Sequence, residues 1–396
     1  MTLTVPLAIV AAILAQDVPM TREGAFWKSV DSGTTAPAQA LRISTRGNIV
    51  IRGGSGDQIV YRLTRRVRAR EREMKRDPRA EQRERDEAHR MLGSTVVTTS
   101  TLGKVTTLVV APAVRNNVIT QLEVTVPRGV SAVMVDTQLG DIEAYDLDSN
   151  LHADTTAGQI RCDRIHGVVE GNSGGGEIHV GKASGAVRCV TAAGSIYVDS
   201  SGGETNCQTA GGEIQIREAL GPATLSTEGG NIELDHAAST VEAHTGQGVI
   251  EIGKAGGLVL ADTRGGAIHV GSARGVKCQS AAGMIRVRTL SGPLKLETAM
   301  GSILAELLSG ARIEDASLIA GSGDITVMMP SNIALSLVAR NENGANPRIV
   351  SDFSELRPKT FAPARARLVY EGALNGGGPL MTIDTGGGII YLRKLK

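Results

Sequence analysis

Aromatic rings are nearly missing from this chain: they make up 2% of it, with one Trp and three Phe. A core of ordinary thickness leans on such large side chains, so a chain this poor in them has to pack thin layers of small ones at full density. An excess of either charge is missing too, since 42 Lys and Arg against 41 Asp and Glu leave a net charge of +1. That balance gives no overall attraction to nucleic acid or an acidic membrane, so any charged patch must be local. The four cysteines show no CxxC spacing and no His partner, which argues against a zinc site. The uncharged apolar run at 3–15 is too short to span a bilayer and has the form of a secretory h-region cut after Ala15, without the usual basic residues before it. No Cys follows it, so no lipid anchor is indicated.

What the chain has in quantity is glycine, 49 residues, and the spacing is regular. TAGGEIQI at 209–216 returns as TEGGNIEL at 227–234. Taking the Gly before the Ile as a mark, it falls at Gly140, Gly158, Gly176, Gly194, Gly212, Gly230, Gly248, Gly266, Gly283 and Gly301, every step 18 residues except one of 17. Each mark has a Thr or Ser three residues before it, as at Thr209 and Thr227, and an Ile two residues after, as at Ile214 and Ile232. A second glycine set, including Gly167, Gly185, Gly203 and Gly221, halves the period. Each half holds one short strand of period-two alternation closed by a Gly corner that needs positive φ or room. Two strands and two corners make a coil, and coils stack at about 4.8 Å. Residues 131–327 therefore read as a parallel β-solenoid, a rod on the order of 50 Å long.

Parity assigns the inward columns: the Ile series and, two residues on, Cys162, Val180, Val198 and Ile216; on the other sheet, Val187 and Val241, then Cys189, Cys207, Leu225 and Ala243. The Thr and Ser column points to a corner where a hydroxyl can bond backbone groups the turn leaves unpaired. Cys189 and Cys207 share an inward column in adjacent coils, close enough for a bridge, while Cys162 and Cys278 lie far apart along the rod. That separation points to all four as small buried hydrophobes.

Flanking segments differ. Residues 40–130 form an N-terminal strand domain with an insertion at 65–91 that is rich in helix formers and mixed charge, interrupted at Pro78 and anchored by Val67, Met74 and Met91. Residues 16–39 link it to the leader at 1–15. Residues 328–396 form a C-terminal β cap that resumes the repeat at Thr385, Gly388 and Ile390. Capped ends favour a discrete monomer over a filament.

Chemistry is sparse. GEIHVGKA at 176–183 and GVIEIGKA at 248–255 imitate a phosphate loop, but both place Ala where the metal-binding hydroxyl belongs and neither precedes a helix. A calcium nonapeptide ladder needs denser Asp. Coils of near-constant length leave no loop for a cleft, and Tyr145 and Tyr197 are the only aromatics at 131–327, which opposes a glycan-cleaving enzyme. No catalytic, cofactor or metal residue is assigned. The outward column of the Ile-bearing strand runs through His179, Tyr197, Glu233, Glu251 and His269, with Glu177 and Glu213 beside it. This long polar face is the candidate docking surface.

The leader, the strand domain with its charged insertion, the T-x-x-G-x-I-x-V coils and the ending GALNGGGPLMTIDTGGGIIYLRK together resemble the bacterial DUF4097 family over about 40–396. The resemblance implies an extracytoplasmic, right-handed β-solenoid of the adhesin type, with no assigned catalysis and no defined functional residues. The expectation is a binding protein, not an enzyme, for a protein or envelope polymer. The alternative is an envelope scaffold or stress sensor acting through the charged insertion.

Overall fold

The computed structural model describes residues 19–69, 78–111, 117–342, 348–359 and 367–395. The expected leader at 1–15, and Met74 of the insertion, lie outside them. The chain is 63% strand with one helix among the described residues, and it forms a parallel β-solenoid of about 11 turns at roughly 18 residues per coil. Two compact units divide it, Met1–Gly174 and Gly175–Lys396.

In the second unit the repeat becomes a register. Ile178, Ile196, Ile214, Ile232, Ile250, Ile268 and Ile285 pair in turn across parallel strands. Every one of these side chains is fully buried, which contributes about 1.5–3 kcal/mol per residue. The opposing sheet stacks Cys189 on Cys207, then Leu225, Ala243 and Ala261. All four cysteines are buried as thiols, so the bridge that register permits between Cys189 and Cys207 is not formed. Burial alone pushes the Cys278 thiol far up from its ordinary value.

The corner explains the Thr and Gly columns together. Thr209 Oγ1 donates to the Gly194 carbonyl of the neighbouring coil at 2.8 Å and accepts the Gly212 N–H at 3.2 Å. Thr227 does the same with Gly212 and Gly230, and Thr245 with Gly230 and Gly248. Each hydroxyl thus satisfies a donor and an acceptor that the turn takes out of the ladder. The marked glycines do not have positive φ. They are glycine because the coils touch there: a Cβ on Gly230 would lie 1.9 Å from the Gly212 carbonyl oxygen. At the other corner, Gly275, Gly292 and Gly310 have φ of 109°, 87° and 80°, the left-handed region.

The second unit ends out of sequence order. Strand Leu380–Thr385 stacks in parallel on Ile303–Ala320, and Leu335–Asn341 stacks on its other side. Strand Ile390–Lys394 likewise lies between Ile325–Met329 and Ile349–Ser351. The last stretch of chain is therefore the penultimate coil. The outermost one ends the parallel stacking by taking an antiparallel partner, Leu368–Leu374 on Leu335–Asn341.

The first unit shows the mirror arrangement. Strands Ala40–Thr45 and Asn48–Gly54 make a coil that carries Ala132–Thr137 and Ile142–Leu147 on one side and Val105–Val110 and Val118–Pro127 on the other. Parallel stacking thus continues beyond the 131–327 read from the repeat. Strands Ile59–Arg68 and Phe26–Thr35 close this end by antiparallel pairing.

The insertion is placed differently from the expectation. Residues 65–68 belong to strand Ile59–Arg68, and Pro78 is the first residue of the described helix Pro78–Gly93, the rest of the insertion, 70–77, lying outside the described residues. Alternation explains the strand: Ile59, Tyr61, Leu63, Arg65 and Val67 are all buried. The helix packs through Ala88 and Leu92 onto Trp27, Val67 and Ala69, with Met91 partly buried beside them. Arg65 is buried beneath it and donates Nη1 to the carbonyls of Leu92 and Thr95, where the helix ends. Burial lowers the pKa of this guanidinium from its ordinary value.

Candidate functional site

The seven residues expected on the docking face all belong to the second unit. His179, Tyr197, Gln215, Glu233, Glu251, His269 and Arg286 are successive register partners on seven adjacent strands. The inward Ile column fixes this placement, because a residue one step from a buried neighbour must point to the opposite face. Glu233 and Glu251 are exposed, as are Glu177 and Glu213 two positions before the column; His179, Tyr197 and His269 are half-buried.

Hydrogen bonds organise the face along its length. Tyr197 Oη donates to Glu213 Oε1 at 2.8 Å, and Gln215 Nε2 donates to Glu233 Oε2 at 3.1 Å. The carboxylate of Glu213, with burial second, raises the Tyr197 hydroxyl above its ordinary pKa. The rings of His179 and Tyr197 meet edge-on, centroids 6.2 Å apart. His269 Nε2 is buried and unbonded, so this ring offers solvent less than its parity predicts. Glu251, beside it in register, is directly opposite Glu233 on the neighbouring strand. Like charges directly opposite destabilise a sheet by a few tenths of a kcal/mol. Such a pair gains energy by meeting a cation or a hydrogen-bond donor.

Sequence reasoning missed the next outward column, where Arg217 Nη1 lies 3.5 Å from Asp199 Oδ1. Counting two further along each strand would have found it. Among the described residues, no group of three or more His, Cys, Asp or Glu is placed to hold a metal ion. No helix among them is long and apolar enough to cross a membrane.

The fold and this face define a β-solenoid repeat protein with an ordered polar surface. No family model matches the chain, and no curated protein matches it significantly. Among solved structures it is similar to a candidate cell adhesion protein from Clostridium sporogenes, at 8% identity over 93% of this chain and 100% of that one, with a TM-score of 0.17. It is also similar to a candidate adhesin from Bacteroides fragilis, at 13% identity over 92% of this chain and 97% of that one, with a TM-score of 0.22. Likeness of this extent says nothing about partner or role.

Proposed function

We infer that the chain is an extracytoplasmic, adhesin-like binding protein that acts without catalysis and docks a protein or envelope polymer on the column from His179 to Arg286. The observation that carries this reading is the unbroken register of that column: one outward side chain per coil, seven coils in a row. A regular surface suits an extended partner that repeats its contacts, where a small substrate needs a concave site. The apolar run at 3–15 and the DUF4097-like ending agree with export.

Two measurements test it. Protease added to intact cells should digest a tagged full-length chain and spare one lacking residues 1–15. Labelled protein should adhere to cells or isolated envelopes, and the double variant Glu233→Lys, Glu251→Lys should reduce retention at least fivefold. Unchanged retention would remove the face from consideration; digestion of the full-length form only after the outer layer is opened would favour the scaffold or sensor, and cytoplasmic retention of both forms would remove export.

The alternative, an envelope scaffold or sensor working through the insertion, gains one observation but loses its location. The helix is charge-balanced, with Arg79, Arg83, Arg85 and Arg90 against Glu81, Glu84, Asp86 and Glu87. The basic excess lies instead on the preceding strand, where Arg62, Arg66 and Arg68 are exposed. Reversing these three arginines, not deleting the helix, is the change that would abolish envelope association under this reading.

A further inference from the structure

A cavity of about 260 Å³ opens on the first unit, remote in sequence from the docking column and independent of the reading given for it. Its walls come from four successive layers: Pro127 with Arg128, Gly53 and Gly54, and the strand ends at Asp146–Asp148 and at Arg164–His166. Asp146 and Arg164 hold the left-handed conformation, φ 58° and 54°. They are two of the three non-glycine residues with positive φ among those described. The corresponding position of the second unit, filled by Lys182, Ser200, Glu218 and His236, has no such conformation. This turn of the backbone brings the two side chains together, Arg164 Nη2 donating to Asp146 Oδ2 at 3.1 Å with a second bond from Nε to Oδ1. That guanidinium holds the Asp146 carboxyl below its ordinary pKa.

A second carboxylate organises the opposite rim. Asp148 Oδ2 forms an ion pair with Arg128 Nε at 3.3 Å, and its Oδ1 contacts His166 Nδ1 at 2.6 Å. Both partners are thereby oriented while keeping polar atoms to spare. The terminal amines of Arg128 and the Nε2 of His166 make no hydrogen bond to the described residues. The cavity therefore presents two guanidinium groups, two carboxylates already matched to them, and an imidazole.

This inventory selects a ligand class. A free anion or cation would have to displace a matched ion pair, because the charges lining the cavity cancel. A polyol does not: each hydroxyl both donates and accepts, so it can accept a hydrogen bond from Arg128 while donating one to a free carboxylate lone pair. The volume lies just under the range that holds drug-sized ligands, which limits the occupant to one small ring. We propose that this cavity binds a single neutral sugar unit of a glycan, oriented by Arg128, Asp148 and His166 on one side and by the Asp146–Arg164 pair on the other. With no aromatic platform in the lining, the dissociation constant is on the order of 1 mM.

Saturation-transfer NMR on the full chain tests this, with glucose, galactose, mannose and N-acetylglucosamine as probes and glucuronate and inorganic phosphate as charged comparisons. At least one neutral sugar should give signal, and Asp148→Asn should weaken it fivefold or more. Arg128 is 80% exposed, so Arg128→Gln changes only the rim; it should give the same loss with an unchanged melting temperature, whatever Asp148→Asn does to folding. No signal from any neutral sugar at 10-fold the expected constant, roughly 10 mM, would overturn the proposal. So would signal from phosphate or glucuronate alone, or binding that survives Arg128→Gln.

Discussion

A hydroxyl and a glycine three residues apart carry each corner of the solenoid, and the two make separable demands. Gly229 and Gly230 are neighbours, yet a Cβ on Gly229 would meet nothing closer than 3.8 Å while one on Gly230 would sit 1.9 Å from backbone oxygen. Gly230→Ala is therefore expected to cost about 2–4 kcal/mol, since the coils must be forced apart, and Gly229→Ala to stay within about 0.5 kcal/mol. Urea unfolding of the two variants checks this. The hydroxyl is tested at Thr227, which is buried. Thr227→Val leaves the Gly212 carbonyl and the Gly230 N–H without their partner, for about 2 kcal/mol, whereas Thr227→Ser keeps both bonds. Ser173 and Ser280 already fill this position, so the Ser variant should melt close to the parent. These columns were legible in the sequence because any departure breaks every neighbouring coil. The first coil was not: Thr45 and Gly47 stand two residues apart, not three, and the link between them lengthens to 3.4 Å. The left-handed Asp146 and Arg164 left no trace either, since Asp is only modestly enriched in that conformation and Arg is not.

At the scale of the element, the boundary of the charged insertion was misplaced for one reason, an arginine on an inward position. Arg65 breaks the apolar alternation of its strand, and the sequence then looks helical from residue 65, although the strand runs on to Arg68. Its burial is explained by the two carbonyls at the end of the helix, which have no intrahelical partner and attract a cation. Both bonds come from the one nitrogen Nη1, and the Nζ of Lys, one bond shorter along the side chain, falls short of that position. Arg65→Lys should lower the protection of the helix amides against hydrogen exchange by about 1–3 kcal/mol and leave the Ile-bearing strands unchanged. Equal loss in both would mean that Arg65 supports the sheet and not the helix.

For the whole molecule, the repeat predicted how coils stack but not where stacking stops. Nothing in the GGGIIYLRK ending says that it lies between two other coils, because the same Thr-Gly-Ile grammar fits any layer. Removing residues 380–396 should uncover the parallel edges of Ile303–Ala320 and Ile325–Met329 and deprive the outermost coil of its support. Open edges of this kind pair with other chains. Light scattering after size-exclusion chromatography should show the truncated chain as oligomers, with strand content retained by circular dichroism. A monomeric truncated form would mean that the terminal strands contribute only stability.

The two out-of-order coils differ in one respect, the time at which they can form as the chain is made. At the N-terminal end each layer needs only residues that have already been synthesised, so that body can assemble behind the ribosome or the export channel. At the C-terminal end the gap between Ile303–Ala320 and Leu335–Asn341 waits for residues 380–385, which emerge after both. Closure of the second unit therefore waits for a segment made well after both of its neighbours, and proteases or chaperones that recognise unpaired strands have until that moment to act on the open gap.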